Sequence, residues 1–361
     1  MLSISILRKL GIFFCLSLTT LLLPQHSFAA LLDVQQENDI VYFLFAAPNK
    51  IVRYDLSSNK FINKISLDNI PTAFHVNKSA IYISYGAELF KHKLDGFTDT
   101  KIYQADEDII NITAIGASIY LLKDNSRAET ISATNFLSTD NGYHYQDSRH
   151  TSNIASPLNQ AIYTLGSSSK PYKTLISYAG KIGTITSSRF SHSEIQSNKI
   201  YLHPDEDRVY TDAGLIYSTE DLSFKGSLTG SFTDMAFLDK QPVIIRNHTL
   251  YLLTDTDRDN MEFALDHTPS YVAAKGQIIT TFVTTDSIAT AHKTNIDQLR
   301  EPPVAIPEDP NFASYHADLI TTDNNNIVYL LDNKNKAIHR RKAAEGEYAS
   351  SWGLVNSPSH I

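Results

Sequence analysis

The stretch 39–76, DIVYFLFAAPNKIVRYDLSSNKFINKISLDNIPTAFHV, contains one complete structural repeat. Asp39 to Phe45 reads as a strand, Ala46-Ala47-Pro48-Asn49 as a turn, and Lys50 to Leu56 as a second strand. Ser57-Ser58-Asn59 turns again into a third strand, Lys60 to Leu67. Asp68-Asn69-Ile70-Pro71 then leads into Thr72 to Val76, which opens the next unit. Val41-Tyr42-Phe43-Leu44 is apolar at consecutive positions, so both faces of that strand need cover. Lys60-Phe61-Ile62-Asn63-Lys64-Ile65 mixes polar and apolar residues, as a strand with one wet face does.

The apolar run recurs along the chain. Marks at Val41, Ile81, Ile119, Ile162, Ile200, Val243, Ile278 and Val328 are spaced by 40, 38, 43, 38, 43, 35 and 50 residues, a mean of 41. Four short strands in about forty residues is the blade of a β-propeller, in which neighbouring sheets stack face to face and cover the inner strands on both sides. A parallel α/β sheet would also bury such strands, but it needs crossover helices, and no helical pattern of ten residues separates any two marks. The predicted fold is therefore all-β, a β-propeller of four-stranded antiparallel blades. The repeat count favours eight blades, with seven as the alternative if the Val243 or Ile278 unit is miscounted. Leu31 to Gln36 and Tyr348 to Val355 are the candidate strands for a blade shared between the chain ends.

Composition agrees with strands. Of 361 residues, 42% are hydrophobic and only 19% charged, while Tyr (19) and Phe (17) are plentiful, which disfavours a helical bundle. Residues 1–29 read as a secretory signal: Arg8-Lys9, an apolar run from Leu10 to Leu23, and Ser27-Phe28-Ala29 before a mature start at Ala30. That run is too short to span a bilayer and no later segment qualifies, so permanent membrane insertion is not expected. Residues 30–361 are expected to form one propeller domain, secreted or periplasmic and monomeric. Residues 1–29 hold two basic and no acidic residues, so the processed chain carries 29 basic against 39 acidic, a net charge of −10. Apart from Arg340-Arg341-Lys342 there is no basic run, which argues against nucleic acid as a partner. The sole cysteine, Cys15, leaves with the signal, so disulfides, thiolate metal sites and a cysteine nucleophile are excluded from the processed chain.

Tyr54-Asp55-Leu56, Phe61-Ile62 and Pro71-Thr72 lie within KIVRYDLSSNKFINKISLDNIPTAF, residues 50–74, with a weaker copy at Phe90 to Leu94. This repeat resembles that of secreted bacterial propellers of the YVTN group and the quinoprotein amine dehydrogenase β-chain-like group. The resemblance implies the propeller fold and an extracytoplasmic binding or structural role, and it carries no active site. Ser138-Thr139-Asp140-Asn141-Gly142-Tyr143-His144-Tyr145 resembles the Asp-box of sialidase-type propellers in its Ser, Asp and Gly; a plain Asn-Gly hairpin turn is the competing reading.

Asp255, Asp257 and Asp259 stand at positions 1, 3 and 5 of an acidic loop, with Asp266 at position 12, the spacing at which carboxylates converge on Ca²⁺. Glu262 departs from that pattern, and a solvated acidic turn is the alternative. Asp106-Glu107-Asp108 and Asp205-Glu206-Asp207 read as turns, with His203 beside the second. No His-Glu-x-x-His, Gly-x-Ser-x-Gly or phosphate-loop motif occurs. Leu299 to Pro310, with four prolines, is a candidate rim or lid. The sequence thus favours a non-catalytic binding or scaffold propeller that recognises a protein or peptide, or a glycan, at one end of the ring. The alternative is a propeller hydrolase, a sialidase-like glycosidase or metal-dependent lactonase, with residues from several blades meeting at the axial channel.

Overall fold

The computed structural model describes residues 31–353 except 95–98, 145–149, 167–168, 190–195, 255–256, 258, 286–287, 301–316, 333–336 and 344–347. The segment read as a signal, and most of the proline-rich stretch, lie outside the described residues.

Eight antiparallel sheets follow one another along the chain. The first holds β1 (Leu31–Glu37), β2 (Ile40–Ala46), β3 (Asn49–Asp55) and β4 (Lys60–Ser66); the second β5 (Ala73–Asn77), β6 (Ala80–Tyr85), β7 (Glu88–Lys93) and β8 (Asp99–Gln104). The third holds β9 (Ile109–Ile115), β10 (Ser118–Lys123), β11 (Arg127–Ser132) and β12 (Ser138–His144); the fourth β13 (His150–Ser156), β14 (Ala161–Gly166), β15 (Pro171–Ile176) and β16 (Ile182–Ser187). The fifth comprises β17 (Ile200–Leu202), β18 (Arg208–Thr211), β19 (Leu215–Ser218) and β20 (Phe224–Ser227); the sixth β21 (Asp234–Leu238), β22 (Gln241–Arg246), β23 (Thr249–Leu253) and β24 (Asp259–Ala264). The seventh has three strands, β25 (Tyr271–Lys275), β26 (Ile278–Thr285) and β27 (Ile288–Asn295), and the eighth comprises β28 (Leu319–Thr322), β29 (Ile327–Asp332), β30 (Ala337–Lys342) and β31 (Tyr348–Gly353). Among the described residues the only helical element is the 3-10 turn Ile296–Gln298, and no helix is long and apolar enough to cross a membrane.

The packing follows from the strand patterns. Val41 to Phe45 of β2 are all buried, whereas β4 is exposed except at Ile65. Each such buried large apolar side chain contributes roughly 1.5–3 kcal/mol relative to exposure. Apolar clusters join consecutive sheets: Ile51 with Phe74 and Ile83, Leu89 with Ile109 and Leu121, Tyr120 with Ile162, and Tyr163 with Val209. Tyr210 then packs with Ile244, Leu252 with Ile279, and Phe43 and Tyr54 with Phe282. The last cluster brings the seventh sheet back against the first, so these seven form a ring.

The eight marks match eight sheets, of which the first seven surround the axis; the Val243 and Ile278 units each hold a sheet of their own. No residue of β28–β31 belongs to any of the seven clusters among the described residues, and β28 is exposed along its whole length. Nor, among the described residues, do the first and last strands share a sheet. Among the described residues Leu31–Glu37 pairs with β2 alone, and Tyr348–Gly353 pairs with β30. Side chains close the ring instead: Phe43 meets Phe282 edge to face with centroids 5.0 Å apart, and Lys275 contacts Asp39 and Ser57. A chain ending at residue 316 is accordingly expected to melt within about 1 kcal/mol of the full-length protein, as surface changes do; global unfolding of that truncation would show that the eighth sheet holds the ring shut.

The motif residues of the first repeat are structural. The Asp55 carboxylate accepts from Ser57 N (2.8 Å) and Ser58 Oγ (2.8 Å), fixing the β3–β4 turn. Thr72 donates its hydroxyl proton toward the Ile109 carbonyl (2.9 Å), tying the second sheet to the third. Ser138–His144 is not a turn but β12, the fourth strand of its sheet, with register shifts opposite Ala128/Glu129 and Thr130/Ile131. Ladder pairing with β11 overrides the local Asn-Gly turn tendency there.

Candidate functional site

The innermost strands β1, β5, β9, β13, β17, β21 and β25 surround a cavity of about 900 Å³ on the ring axis. Its lining divides into two sectors. On the second, third and fourth sheets it is made of neutral groups, including Asn111, Thr113, Ser152 and Asn153, together with His75. Burial holds the His75 imidazole down to about 4, so it is neutral at physiological pH. The Asn153 side-chain amide nitrogen is buried without a hydrogen-bond partner.

The sector from the fifth sheet round to the first carries charge. Asp234, at the start of β21, accepts on Oδ1 from Tyr201 Oη (2.8 Å) and Lys199 Nζ (3.1 Å), and on Oδ2 from Val272 N (2.9 Å). Lys199 Nζ also lies 4.4 Å from the centroid of the Tyr271 ring. One carboxylate thereby fastens three adjacent sheets. Burial raises its pKa and the Lys199 ammonium opposes that rise. Burial, then the Asp234 carboxylate, also raises Tyr201 and Tyr271, so both are neutral phenols.

Asp33 of β1 accepts from Val34 N (2.8 Å) on Oδ1 and from Gln35 Nε2 (3.0 Å) on Oδ2. Gln35 Nε2 donates as well to the Phe74 carbonyl (2.8 Å), and its Oε1 accepts from Val76 N (3.0 Å). Asp33 keeps some surface on the lumen but is otherwise surrounded by protein, and desolvation lifts its pKa to about 6. Because the folded form holds its proton more tightly than the unfolded chain, the Asp33 contribution is fully present below about pH 4 and is lost as pH rises toward 6. After discount for lumen water the loss is of order 1–2 kcal/mol. Asp33→Asn should remove that slope from the wild-type stability curve over this range, measured by urea unfolding; parallel curves would refute the assignment.

The residues singled out in the sequence fall elsewhere. Asp255 lies outside the described residues. Asp257 accepts from Tyr210 Oη (2.7 Å) and pairs with Arg208 Nε (3.3 Å), while Asp259 pairs with Arg246 Nη1 (2.7 Å). Asp266 is exposed and contacts His267 Nδ1 at 2.7 Å. The structure therefore gives the three described carboxylates three different partners. Asp106 pairs with Lys123 (2.6 Å), Asp205 with Lys240 (2.8 Å), and Glu206 accepts from Ser156 Oγ (2.6 Å) and Leu158 N (2.9 Å) across the sheet interface. His203 Nε2 lies 3.0 Å from the Lys240 carbonyl oxygen, a structural position.

A scan against family models finds no match, and no curated relative is found by sequence. Solved structures show similarity of shape. Hydrazine synthase of Kuenenia stuttgartiensis superposes with a TM-score of 0.55 at 12% identity, over 75% of this chain and 98% of that one. KlHsv2 with loop 6CD replaced by a Gly-Ser linker gives 0.53 at 11% identity, over 76% and 99%. At such identity the likeness is one of fold. Fold and lining together define a β-propeller with an axial cavity, charged on one side and neutral on the other. The YVTN-type repeat and the Asp-box find no support in these similarities.

Proposed function

We propose that this chain is an extracytoplasmic, monomeric, non-catalytic propeller that binds a peptide segment of a partner protein in its axial cavity. The observation that carries the reading is the two-sided lining. Asn111, Asn153, Ser152 and Thr113 line that side with amide and hydroxyl groups of the kind that bond a peptide backbone. Across from them, Asp33 and Asp234 outnumber Lys199 and favour a neutral or basic side chain over an acidic one.

Selection from a random short-peptide library with the processed protein tests this. Peptides free of acidic residues should be enriched, and Asn153→Trp, which fills the lumen, should weaken the best of them at least about tenfold, or 1.4 kcal/mol. Unaltered binding by a folded Asn153→Trp protein would place the partner elsewhere. The hydrolase reading rests on Asp33, whose pKa near 6 suits acid–base work. Turnover of a small ester or glycoside that disappears in Asp33→Asn would reverse the ranking.

For the acidic loop we propose Ca²⁺ as the ion to titrate. A site with Asp255, Asp257, Asp259 and Asp266 as ligands, for which Asp266 would have to leave His267, should add about 2.7 kcal/mol at 100 times its dissociation constant. No heat and no melting shift at millimolar Ca²⁺ would remove that site.

A further inference from the structure

Asp266 and His267 follow β24 in the connection to the seventh sheet, and His292 stands in β27 of that sheet. One ligand atom from each lies within 4.8 Å of the others. The two imidazole rings stack, with centroids 3.8 Å apart and planes 19° from parallel. His267 Nε2 is 2.9 Å from Thr281 Oγ1, and that hydroxyl in turn reaches the His292 carbonyl at 3.5 Å. The Thr281 hydroxyl and the Asp266 carboxylate thus hold the two ring nitrogens of His267, at Nε2 and Nδ1 respectively. Asp266 Oδ1 lies 2.7 Å from His267 Nδ1, a hydrogen bond that a metal ion would replace by taking the place of the ring proton. The neighbouring His292 supplies a second imidazole, the further donor that a metal uses.

We infer that Asp266, His267 and His292 form a binding site for a divalent transition-metal ion, with Zn²⁺ the best match. Two imidazoles and one carboxylate suit zinc, nickel or copper, whereas calcium prefers oxygen donors throughout. Water would complete the tetrahedron on the exposed side, and Thr281 would act as a positioning residue that fixes the His267 tautomer. The ligands come from the connection that leaves the sixth sheet and from β27 of the seventh, so the ion would pin that connection to the seventh blade.

Untagged processed protein, stripped with chelator, should bind one Zn²⁺ per chain in calorimetry and melt at a higher temperature with Zn²⁺ but not with the same concentration of Mg²⁺. His292→Ala and His267→Ala should each weaken Zn²⁺ at least about tenfold, and Thr281→Val by about 10- to 100-fold. Apo melting of each variant reports folding, so a variant that melts like apo wild type is a fair test. Zn²⁺ binding unchanged in folded His267→Ala and His292→Ala proteins, or no binding by wild type at 0.1 mM, taken as roughly the weakest useful affinity, would overturn the site.

Discussion

Phe282→Ala should destabilise the protein by about 3–5 kcal/mol, the range for deleting a buried phenylalanine ring. Phe282 is fully buried and meets two rings of the first sheet edge to face, Phe43 at 5.0 Å and Tyr54 at 5.1 Å between centroids. The cavity it leaves would sit in the one apolar cluster that joins the first and seventh sheets. Ile288 of β27 is 62% exposed, so Ile288→Ala should change stability by no more than about 0.5 kcal/mol. Urea unfolding of the two variants separates closure from composition. If Phe282→Ala costs no more than Ile288→Ala, the ring does not depend on that contact.

Glu129→Ala should cost a similar amount, about 3–5 kcal/mol, for an electrostatic reason. Lys123 and Glu129 are 0% and 1% exposed, with Nζ and Oε2 3.3 Å apart. Glu129 also accepts from Ser138 Oγ (2.8 Å) and from the Tyr103 hydroxyl, which burial, and then this bond to a carboxylate, pushes up to about 12. Removing the carboxylate strips the buried ammonium of one counter-charge, while Asp106, which is half exposed, stays within ion-pair distance (2.6 Å). Replacing both partners, Lys123→Met with Glu129→Leu, should recover most of the loss, because an apolar pair has no charge to desolvate. A double variant as unstable as Glu129→Ala would mean that the loss comes from shape rather than charge.

These two sites show what the sequence made legible. The apolar runs at Val41, Ile81 and Ile119 do mark second strands β2, β6 and β10, because both faces of such strands are covered by neighbouring sheets. The mark at Ile200 slipped onto the first strand β17, since the true second strand, Arg208–Thr211, is bounded by polar residues and is only four long. The lumen was not legible at all. Asp33, Lys199, Asp234 and Tyr271 are scattered over more than two hundred positions and meet only because the inner strands share an axis. A usable signal was present: a charged residue opening or interrupting an otherwise apolar inner strand, as in Leu31-Leu32-Asp33-Val34, Lys199-Ile200 and Asp234-Met235-Ala236. The His267–His292 pair was equally hidden, because one residue lies in the connection before the seventh sheet and the other in the last strand of that sheet.

Each of the eight sheets is drawn from one uninterrupted stretch of chain, with strands hydrogen-bonded in sequence order. New termini could therefore be opened in any connection between blades without cutting a ladder, and a chain emerging from the ribosome can finish its sheets one after another. Only the meeting of the first and seventh must wait for Phe282 to be made.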